Sequence, residues 1–270
     1  MMPCKRNRPL ARYQKALAAI VLVATVGLVN AGSYDDFFTR IIRDDAPGIT
    51  ALVKRGFDPN TVNERGETGL TQAFKLDSYR AAKGLIDLPG TNVNQPNSKG
   101  ETPLMMAAIK GQVELAKALI ARDADVNREG WTPLHYAVSA PSEDGSDLKM
   151  VALLLQHHAY IDAASPNGTT PLMMAAQYGT RSAVELLIKE GADPKLKNQQ
   201  GLTATDFATR ADRAEVVSWL AQSGGAAGAK AGSAPVAGTA EAAKPAAAPG
   251  AHVPQQPAFP QGKRKIQSNW

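Results

Sequence analysis

The side chains that most often perform catalysis or hold metal ions are scarce in this 270-residue chain. It has four histidines, His135, His157, His158 and His252, and one cysteine, Cys4. A single cysteine excludes a disulfide framework and any zinc site built from cysteine ligands. His157 and His158 are adjacent, and adjacent helical residues do not face one direction, so the pair would chelate poorly. The sequence therefore predicts no metal site.

Motifs for enzyme chemistry are missing as well. The sequence has no Gly-x-Ser-x-Gly nucleophile motif, no phosphate-binding loop and no dinucleotide fingerprint. Paired acids such as Asp35-Asp36 and Asp44-Asp45 are most simply read as solvent-facing or turn residues. We therefore expect a protein that is not an enzyme and that uses no cofactor.

A short motif instead recurs along the middle of the chain. Gly-x-Thr recurs with spacings of 34, 30, 38 and 33 residues at Gly66, Gly100, Gly130, Gly168 and Gly201. In the copies at 102–108, 132–137 and 170–176 the threonine is followed by Pro-Leu and then by alanine. Repetition at this period is typical of a solenoid of stacked units.

Each part of the repeated unit has a structural reason. Threonine is a good N-cap because its hydroxyl accepts an early backbone N–H, and proline at the first helical position loses no hydrogen bond. A second apolar run follows at 113–120, 151–155 and 184–188, where leucine and valine recur three and four residues apart in one stripe. Turn residues, often with glycine, then close the unit. We predict a short helix, a turn, a longer helix and an extended turn in each unit.

These units resemble the ankyrin repeat. Thr-Pro-Leu-His at 132–135 is the usual signature of that family, and the copies at 102 and 170 keep Thr-Pro-Leu with methionine in the histidine position. The resemblance implies an all-α solenoid of about six helix-turn-helix repeats with β-hairpin loops, over residues 32–222. It places the repeats at about 33–62, 63–96, 97–127, 128–164, 165–197 and 198–222. The first has lost the Gly-x-Thr start and the last diverges, as capping repeats do.

Two departures from regular spacing lie close together. The segment 127–130 is three residues short of a full loop between repeats, and 139–149 is five residues longer than the usual turn between helices. We expect the first to stunt one hairpin and the second to extrude a polar loop on the side away from the hairpins. Neutral drift of loop length is the alternative for both departures, and it is the interpretation we favour.

The resemblance also implies where a partner would bind, because ankyrin proteins commonly use the hairpin tips and the exposed positions of the first helix. It gives His135 a structural role instead, in hydrogen bonds between repeats. Mapping the binding positions gives twelve candidates: Arg65, Glu67, Lys75, Lys99, Glu101, Met106, Lys110, Arg128, Trp131, Tyr136, Gln177 and Tyr178. The same positions add a wider set: Glu64, Ser98, Ile109, Glu129, Ser139, Gln199 and Gln200.

Three aromatic residues are the sharpest of these candidates. Trp131, Tyr136 and Tyr178 are large, and large aromatic residues near the centre of an interface tend to dominate binding. Ordinary packing between repeats is the alternative for each of them. Of the methionines that recur in phase, we expect half to pack between helices and Met106 and Met174 to edge the groove.

The first 31 residues have the order of a secretory signal. A basic stretch ending at Lys15 precedes the apolar run 16–29, and Val29-Asn30-Ala31 then places small residues at the two positions that a signal peptidase reads. We predict a signal peptide over 1–31, cleaved after Ala31, and a periplasmic location, since a cysteine-free exported domain is more typical of bacteria. An uncleaved inner-membrane anchor is the alternative, but the apolar run would cover only roughly 21 Å of a roughly 30 Å hydrocarbon core.

Residues 223–270 are rich in alanine, glycine and proline and hold few large apolar side chains. Such a segment cannot bury enough surface to offset its ordering entropy, so we predict a disordered tail with a basic end. The tail carries a net charge of +4, against −4 for residues 32–222. Contact of the basic end with anionic membrane or cell wall is one interpretation, and a solubilising end without a partner is the other.

The charge balance and the repeats together predict the kind of function. After the basic residues of 1–31 are set aside, bases and acids balance, which argues against a nucleic-acid partner. Stacked repeats form a rod with a grooved face and no deep catalytic cavity. We therefore expect a monomeric, non-catalytic module in the periplasm that binds another protein and scaffolds or protects envelope enzymes. The alternative is an envelope tethering protein held through its basic tail.

Overall fold

The computed structural model describes residues 32–223, so the predicted signal peptide and nearly all of the predicted tail lie outside the described residues. The described part folds into six helix–turn–helix pairs. The helices are α1 (32–42), α2 (Ala46–Lys54), α3 (Gly69–Lys75), α4 (Tyr79–Asp87), α5 (Pro103–Ile109), α6 (Val113–Ile120), α7 (Pro133–Val138), α8 (Ser146–Gln156), α9 (Pro171–Tyr178), α10 (Arg181–Lys189), α11 (Ala204–Arg210) and α12 (Ala214–Ser223).

The helices stack in two rows. The first helices of the pairs contact one another in succession, from α3 to α5, α7, α9 and α11, and the second helices do the same from α2 to α12. Each pair therefore packs mainly on its neighbours, which is the arrangement of a solenoid. This confirms the predicted all-α solenoid of about six repeats. No helix among residues 32–223 has the length and apolar character needed to cross a membrane.

Threonine is the N-cap of five of the first helices, as the sequence predicts. The side chains of Thr68, Thr102, Thr170 and Thr203 each accept a hydrogen bond from the backbone N–H three residues further on. Each bond satisfies one of the donors that a helix start leaves open. Proline at the first position of α5, α7 and α9 fits because that residue has no N–H to satisfy.

Left-handed residues end the second helices. Gly56 after α2 and Gly191 after α10 have φ of 97° and 105°, as expected of a glycine that closes a helix. Asp123 and His158 take the corresponding position after α6 and α8, with φ of 60° and 62°. Because the conformation is costly for most side chains, these two residues are held in it by the surrounding turn.

Aspartate takes the left-handed position in several turns between paired helices. Asp44 and Asp77 have φ of 54° and 59°, a conformation that aspartate adopts more readily than most residues. The carboxylate of Asp44 accepts the backbone N–H of Ala81 at 2.7 Å and the Arg80 Nε at 2.9 Å, both in the next repeat. These turns therefore also join consecutive repeats.

One hydrophobic core runs the length of the described solenoid. It extends from Phe37 in the first repeat, through Leu104 and Leu134, to Leu220 in the last, all at most 2% exposed. The alanine pairs that follow Pro-Leu in α5 and α9 are also buried, so the first helices approach closely. The core has no break at which the solenoid would divide into separate domains.

The predicted hairpin loops are present as tight turns, with little of the strand pairing expected of β-hairpins. Within residues 32–223 the β-type pairing consists of one isolated antiparallel bridge between Val62 and Thr68. The loop between α6 and α7, residues 121–132, is two residues shorter than the loops 157–170 and 190–203. The tip of the fourth repeat is therefore reduced, as the short spacing predicts.

The insertion after α7 is only partly a loop, which corrects the expectation that 139–149 is extruded as a whole. Helix α8 begins at Ser146, so the last four residues of the insertion are helical. Asp147 is 4% exposed, and its carboxylate accepts the hydroxyls of Ser142 at 2.8 Å and of Thr180 at 3.2 Å. Because Thr180 belongs to the following repeat, the insertion is anchored to its neighbour.

Candidate partner-binding groove

Four loop tips share one turn. The side-chain oxygens of Asn63, Asn97 and Asn198 each accept the backbone N–H groups two and four residues further on. Ser165 holds the same position in the fifth repeat, where its hydroxyl accepts the Thr169 N–H at 3.0 Å. In the three asparagine turns, the residue two positions after the asparagine is held in an exposed place on the tip, and these residues are Arg65, Lys99 and Gln200.

Neighbouring tips are joined to each other. The backbone N–H of Ser98 donates to the Gly66 carbonyl at 3.1 Å, and that of Gln199 donates to the Asn167 carbonyl at 3.0 Å. At the shortened tip, the Arg128 guanidinium donates to the carbonyl of Gly100 at 3.3 Å. The tips therefore form a continuous wall beside the first helices, and a groove lies between the wall and those helices.

The first pocket in this groove, here the proximal pocket, lies between the second, third and fourth repeats and has a volume of about 330 Å³. Met106, Ile109 and the ring of Tyr136 supply its apolar surface. Its lining residues are Glu67, Thr71, Lys75, Asn97, Ser98, Lys99, Glu101, Met106, Ile109, Lys110 and Tyr136. The pocket therefore combines an apolar floor with charged walls.

Both glutamates of the proximal pocket are already bonded. Glu67 is 8% exposed and accepts hydrogen bonds from Lys75 Nζ and from Asn63 Nδ2, the latter at 2.9 Å. Burial works against its ionisation, but the bonds from Lys75 and Asn63 outweigh burial and lower the pKa of Glu67. Glu101 accepts Asn97 Nδ2 at 2.8 Å and the hydroxyl of Tyr136.

Tyr136 is 4% exposed, so it offers the groove only the edge of its ring. Burial, and then the charge of Glu101, raise the pKa of its hydroxyl well above the ordinary value. The hydroxyl therefore stays protonated as a donor to Glu101. Packing, which was the alternative for this residue, accounts for most of its surface.

A second pocket, here the distal pocket, lies between the fourth, fifth and sixth repeats and has a volume of about 180 Å³. Trp131, Tyr178, Phe207 and Met174 bring large side chains to it, and Arg210 brings a charge. Its lining residues are Trp131, Asn167, Thr169, Met174, Gln177, Tyr178, Asn198, Gln200, Phe207 and Arg210. Trp131 also packs edge-on against His135, with 5.3 Å between ring centroids, so it contributes to packing as well as to the pocket.

His135 joins the fourth and fifth repeats beneath the groove. The backbone N–H of Thr132 donates to its Nδ1 at 3.2 Å, so Nε2 carries the proton and donates to the Thr169 carbonyl at 2.9 Å. The ring is fully buried, and burial lowers the pKa of His135 to about 4. The hydrogen bond between repeats is the structural role that the sequence predicts for this residue.

The groove brings together ten of the twelve predicted contact residues, seven in the proximal pocket and three in the distal one. Arg65 and Arg128 line neither pocket, although both lie at tips. In the wider set, Ser98, Ile109 and Gln200 line the pockets and Glu64 and Glu129 are exposed at tips. Whether these residues contact a partner stays a prediction.

Two residues of the wider set are placed differently from the mapping. Ser139 is 3% exposed, because it ends α7 and its hydroxyl donates back to the His135 carbonyl. Gln199 is exposed, but its side chain donates to the Pro166 carbonyl at 2.8 Å and so helps to join adjacent tips.

Phe207 and Arg210 are pocket residues that the sequence analysis missed. Phe207 follows its capping threonine by four positions, as Met106 and Met174 do, and Arg210 follows by seven, as Lys75 and Gln177 do. That register would have identified both residues. The sixth repeat was interpreted only as a cap because its Thr-Ala start departs from Thr-Pro-Leu.

The described residues hold no group of three or more His, Cys, Asp or Glu side chains placed to bind a metal ion. What the groove offers is an apolar and aromatic floor, fixed amide groups and several charged side chains. Such a surface is suited to contact with an extended segment of another chain.

The chain matches a family model described as ankyrin repeats (3 copies). The matches cover residues 42–129, 70–165 and 140–231, and so most of the chain. These ranges include all of the groove residues described above.

Curated relatives carry the same repeats. Ankyrin repeat and SAM domain-containing protein 6 of Rattus norvegicus is 26% identical over 182 residues, which are 67% of this chain and 16% of that protein. Neurogenic locus notch homolog protein 1 of Xenopus laevis is 32% identical over 187 residues, 66% of this chain and 7% of that protein. B-cell lymphoma 3 protein homolog of Mus musculus is 30% identical over 157 residues, which are 56% of this chain and 34% of that protein.

This chain therefore spans about a third or less of the length of these relatives. The regions that match are repeats of a kind that serves protein–protein interaction and is typically not catalytic. From the stacked helix pairs, the threonine caps and the family match, we conclude that the chain belongs to the ankyrin repeat family and is a protein–protein interaction module.

Proposed function

We propose that this protein is a non-catalytic module that holds one segment of a partner protein in the groove between its loop tips and its first helices. The observation that carries the proposal is the convergence of ten predicted contact residues on two pockets of one face. Those residues lie in different repeats, and repeat stacking aligns them. The groove also offers methionine and aromatic side chains, which adapt well to a partner surface.

The proposal includes a periplasmic location and a role in scaffolding or protecting envelope enzymes. The support for export is the order of a basic segment, an apolar run and small residues in 1–31. The support for scaffolding is the extended groove itself, which suits a partner that is held rather than converted.

Site-specific photo-crosslinking in the producing cell tests the groove. A benzophenone amino acid at Ser98 or at Gln200 lines one pocket or the other. Both side chains are exposed, so the substitution leaves the core unchanged. We expect each variant to form a crosslinked adduct with the same partner on irradiation.

Matched controls lie on the second helices. Ser218 on α12 and Gln156 on α8 are exposed, and neither lines the groove pockets. The same amino acid there should give no adduct with that partner. Equal adducts from the groove and from the second helices would place the contact elsewhere and contradict the proposal.

A further inference from the structure

The charged side chains of the proximal pocket differ in how many bonding partners the protein already gives them. Both carboxylates of the pocket, Glu67 and Glu101, already accept hydrogen bonds from the protein. These carboxylates therefore have fewer open acceptor positions for a partner cation, which makes them weaker recognition elements for a basic segment.

The lysines are placed differently from one another. Lys75 is paired with Glu67, and the Lys110 ammonium lies 2.7 Å from an Asp77 carboxylate oxygen outside the pocket. Lys99 is exposed at the tip of the third repeat, and in the described part of the chain its ammonium has no ion pair. Among the described residues, Lys99 is therefore the one lysine of the pocket whose ammonium has no carboxylate partner.

The apolar floor lies below this charge. Met106 and Tyr136 are 8% and 4% exposed and Ile109 is partly buried, so the floor is a firm surface. A volume of about 330 Å³ admits a large apolar side chain. Burying such a side chain favours binding, whereas an exposed charge mainly sets which sequence is accepted.

We infer that the proximal pocket binds a peptide segment of the partner in which a large aliphatic or aromatic residue is flanked by aspartate or glutamate. The apolar residue occupies the floor over Met106 and Ile109, and the flanking carboxylate pairs with Lys99. The same ammonium repels a segment flanked by lysine or arginine. The inference rests on the proposed function, because it names the partner chemistry of the same groove.

An unbiased selection tests the inference. A library of random twelve-residue peptides displayed on phage is panned against the immobilised full chain, and enriched sequences are synthesised with a fluorescent label. We expect enrichment of an aliphatic or aromatic residue next to Asp or Glu. Fluorescence anisotropy then gives the Kd for the wild type and for two variants.

The variants make the same change of charge at two exposed lysines. Lys99 lines the pocket, whereas Lys54 ends α2 in the row of second helices and lines neither groove pocket. Lys99→Glu should weaken binding of the enriched peptides about ten-fold or more, because it replaces attraction by repulsion. Lys54→Glu should leave the Kd within about two-fold. Both substitutions are at exposed positions, and unchanged unfolding midpoints will verify that the fold is kept.

The outcomes separate the inference from the function on which it rests. Enriched peptides that are neutral or basic, or that bind Lys99→Glu as well as they bind the wild type, overturn the inference and leave a groove that binds peptides. Equal losses with Lys54→Glu also overturn it, because they indicate a diffuse charge effect. A selection that enriches no peptide, together with groove positions that form no crosslink, contradicts both.

Discussion

At the scale of single residues, the side chain three residues after the capping threonine accepts the backbone N–H of that threonine, and the accepting atom differs from repeat to repeat. Nδ1 of His135 accepts the backbone N–H of its threonine at 3.2 Å, and the sulfurs of Met105 and Met173 accept the same group at 3.4 Å. Histidine alone adds a second bond, from Nε2 to the Thr169 carbonyl. It therefore joins two repeats, but it also puts a titratable group in a fully buried place.

His135→Met should remove one component of the pH dependence of stability. Above pH 6.5 the histidine is neutral in both the folded and the unfolded chain. Below it the unfolded chain takes up a proton that the folded protein, with a His135 pKa of about 4, does not. The free energy of unfolding of the wild type therefore falls by roughly 2 kcal/mol from this group between pH 7 and pH 5. Urea unfolding at the two pH values measures the difference between the proteins.

The control for this prediction is the buried methionine at the equivalent position of the fifth repeat. Met173→Leu changes a side chain that has no ionisable group, so this variant should keep the pH dependence of the wild type. At pH 7, His135→Met should cost roughly 1–3 kcal/mol, since the Thr169 carbonyl loses its donor. If His135→Met and the wild type lose stability in parallel on acidification, the assignment to His135 is wrong.

The depth of individual residues is what the repeat pattern predicted least well. It placed Lys75 and Gln177 at the groove, because helical spacing sets direction, and it placed Lys99 at a loop tip. It could not give the depth of Tyr136 and Ser139, which are 4% and 3% exposed. Their burial depends on partners, the Glu101 carboxylate and the His135 carbonyl, that only the folded arrangement brings within reach.

At the scale of elements, a ladder of side chains joins the turns at the ends of the second helices. Asn60, Asn94 and Asn127 each accept a backbone N–H in the next repeat and donate Nδ2 to the carbonyl of a left-handed residue there. The acceptor carbonyls belong to Gly90, Asp123 and His158. An amide suits this role because it both donates and accepts.

The fourth position of the ladder is occupied by an acid. The Asp162 carboxylate accepts the Asp193 N–H at 3.2 Å, but an ionised carboxylate has no proton to donate to the carbonyl of the left-handed Gly191. Burial, together with the nearby charge of Asp193, raises the pKa of Asp162. At neutral pH this position therefore lacks half of the bonding that the three asparagines provide.

Asp162→Asn should stabilise the protein at neutral pH. The amide restores the donor and removes a partly buried charge, so we expect the free energy of unfolding to rise by about 1 kcal/mol at pH 7. When folding raises the pKa of an acid, its ionised form destabilises the folded state. This cost grows as the pH rises through the pKa of the unfolded chain and then through the pKa of the folded protein, and it is absent below both values. The gain should therefore fade on acidification, when Asp162 is protonated. Urea unfolding of both proteins at pH 7 and at pH 3.5 provides the comparison.

The reciprocal substitution is the control. Asn127→Asp puts an acid at the preceding position of the ladder and should destabilise the protein at pH 7, because the His158 carbonyl then loses its donor. A stability that is unchanged in both variants would show that the ladder contributes nothing at these positions.

Element starts were more predictable than element lengths. Thr-Pro-Leu fixes the first residue of a helix through local chemistry, and the starts of α5, α7 and α9 follow it. The start of α8 depends on a distant contact, since Asp147 is held by Thr180 of the next repeat. No signal within 139–149 reports that contact, and the whole segment was therefore expected to be a loop.

At the scale of the whole molecule, the repeats and the C-terminal segment carry net charges of opposite sign. Residues 32–222 carry a net charge of −4, and 223–270 carry +4. The helical repeats extend to Ser223 in α12, where Leu220 is buried at the end of the core. A chain that stops at Ser223 therefore keeps every residue of the groove and of the core.

Deletion of 224–270 separates a free binding module from a tethered one. For a free module, we expect the wild type and the deletion variant to appear together in the soluble periplasmic fraction, with unfolding midpoints that agree. The mature mass should match a chain beginning at Gly32. If the basic tail instead tethers the protein to an anionic surface, the wild type should sediment with membranes or wall, and the deletion should release it.

Replacing Lys263, Arg264 and Lys265 by glutamate in the full chain is the matched control, because it reverses the charge at constant length. Release by this variant would assign the tail a role in attachment, since the groove and its pockets are unchanged in both proteins.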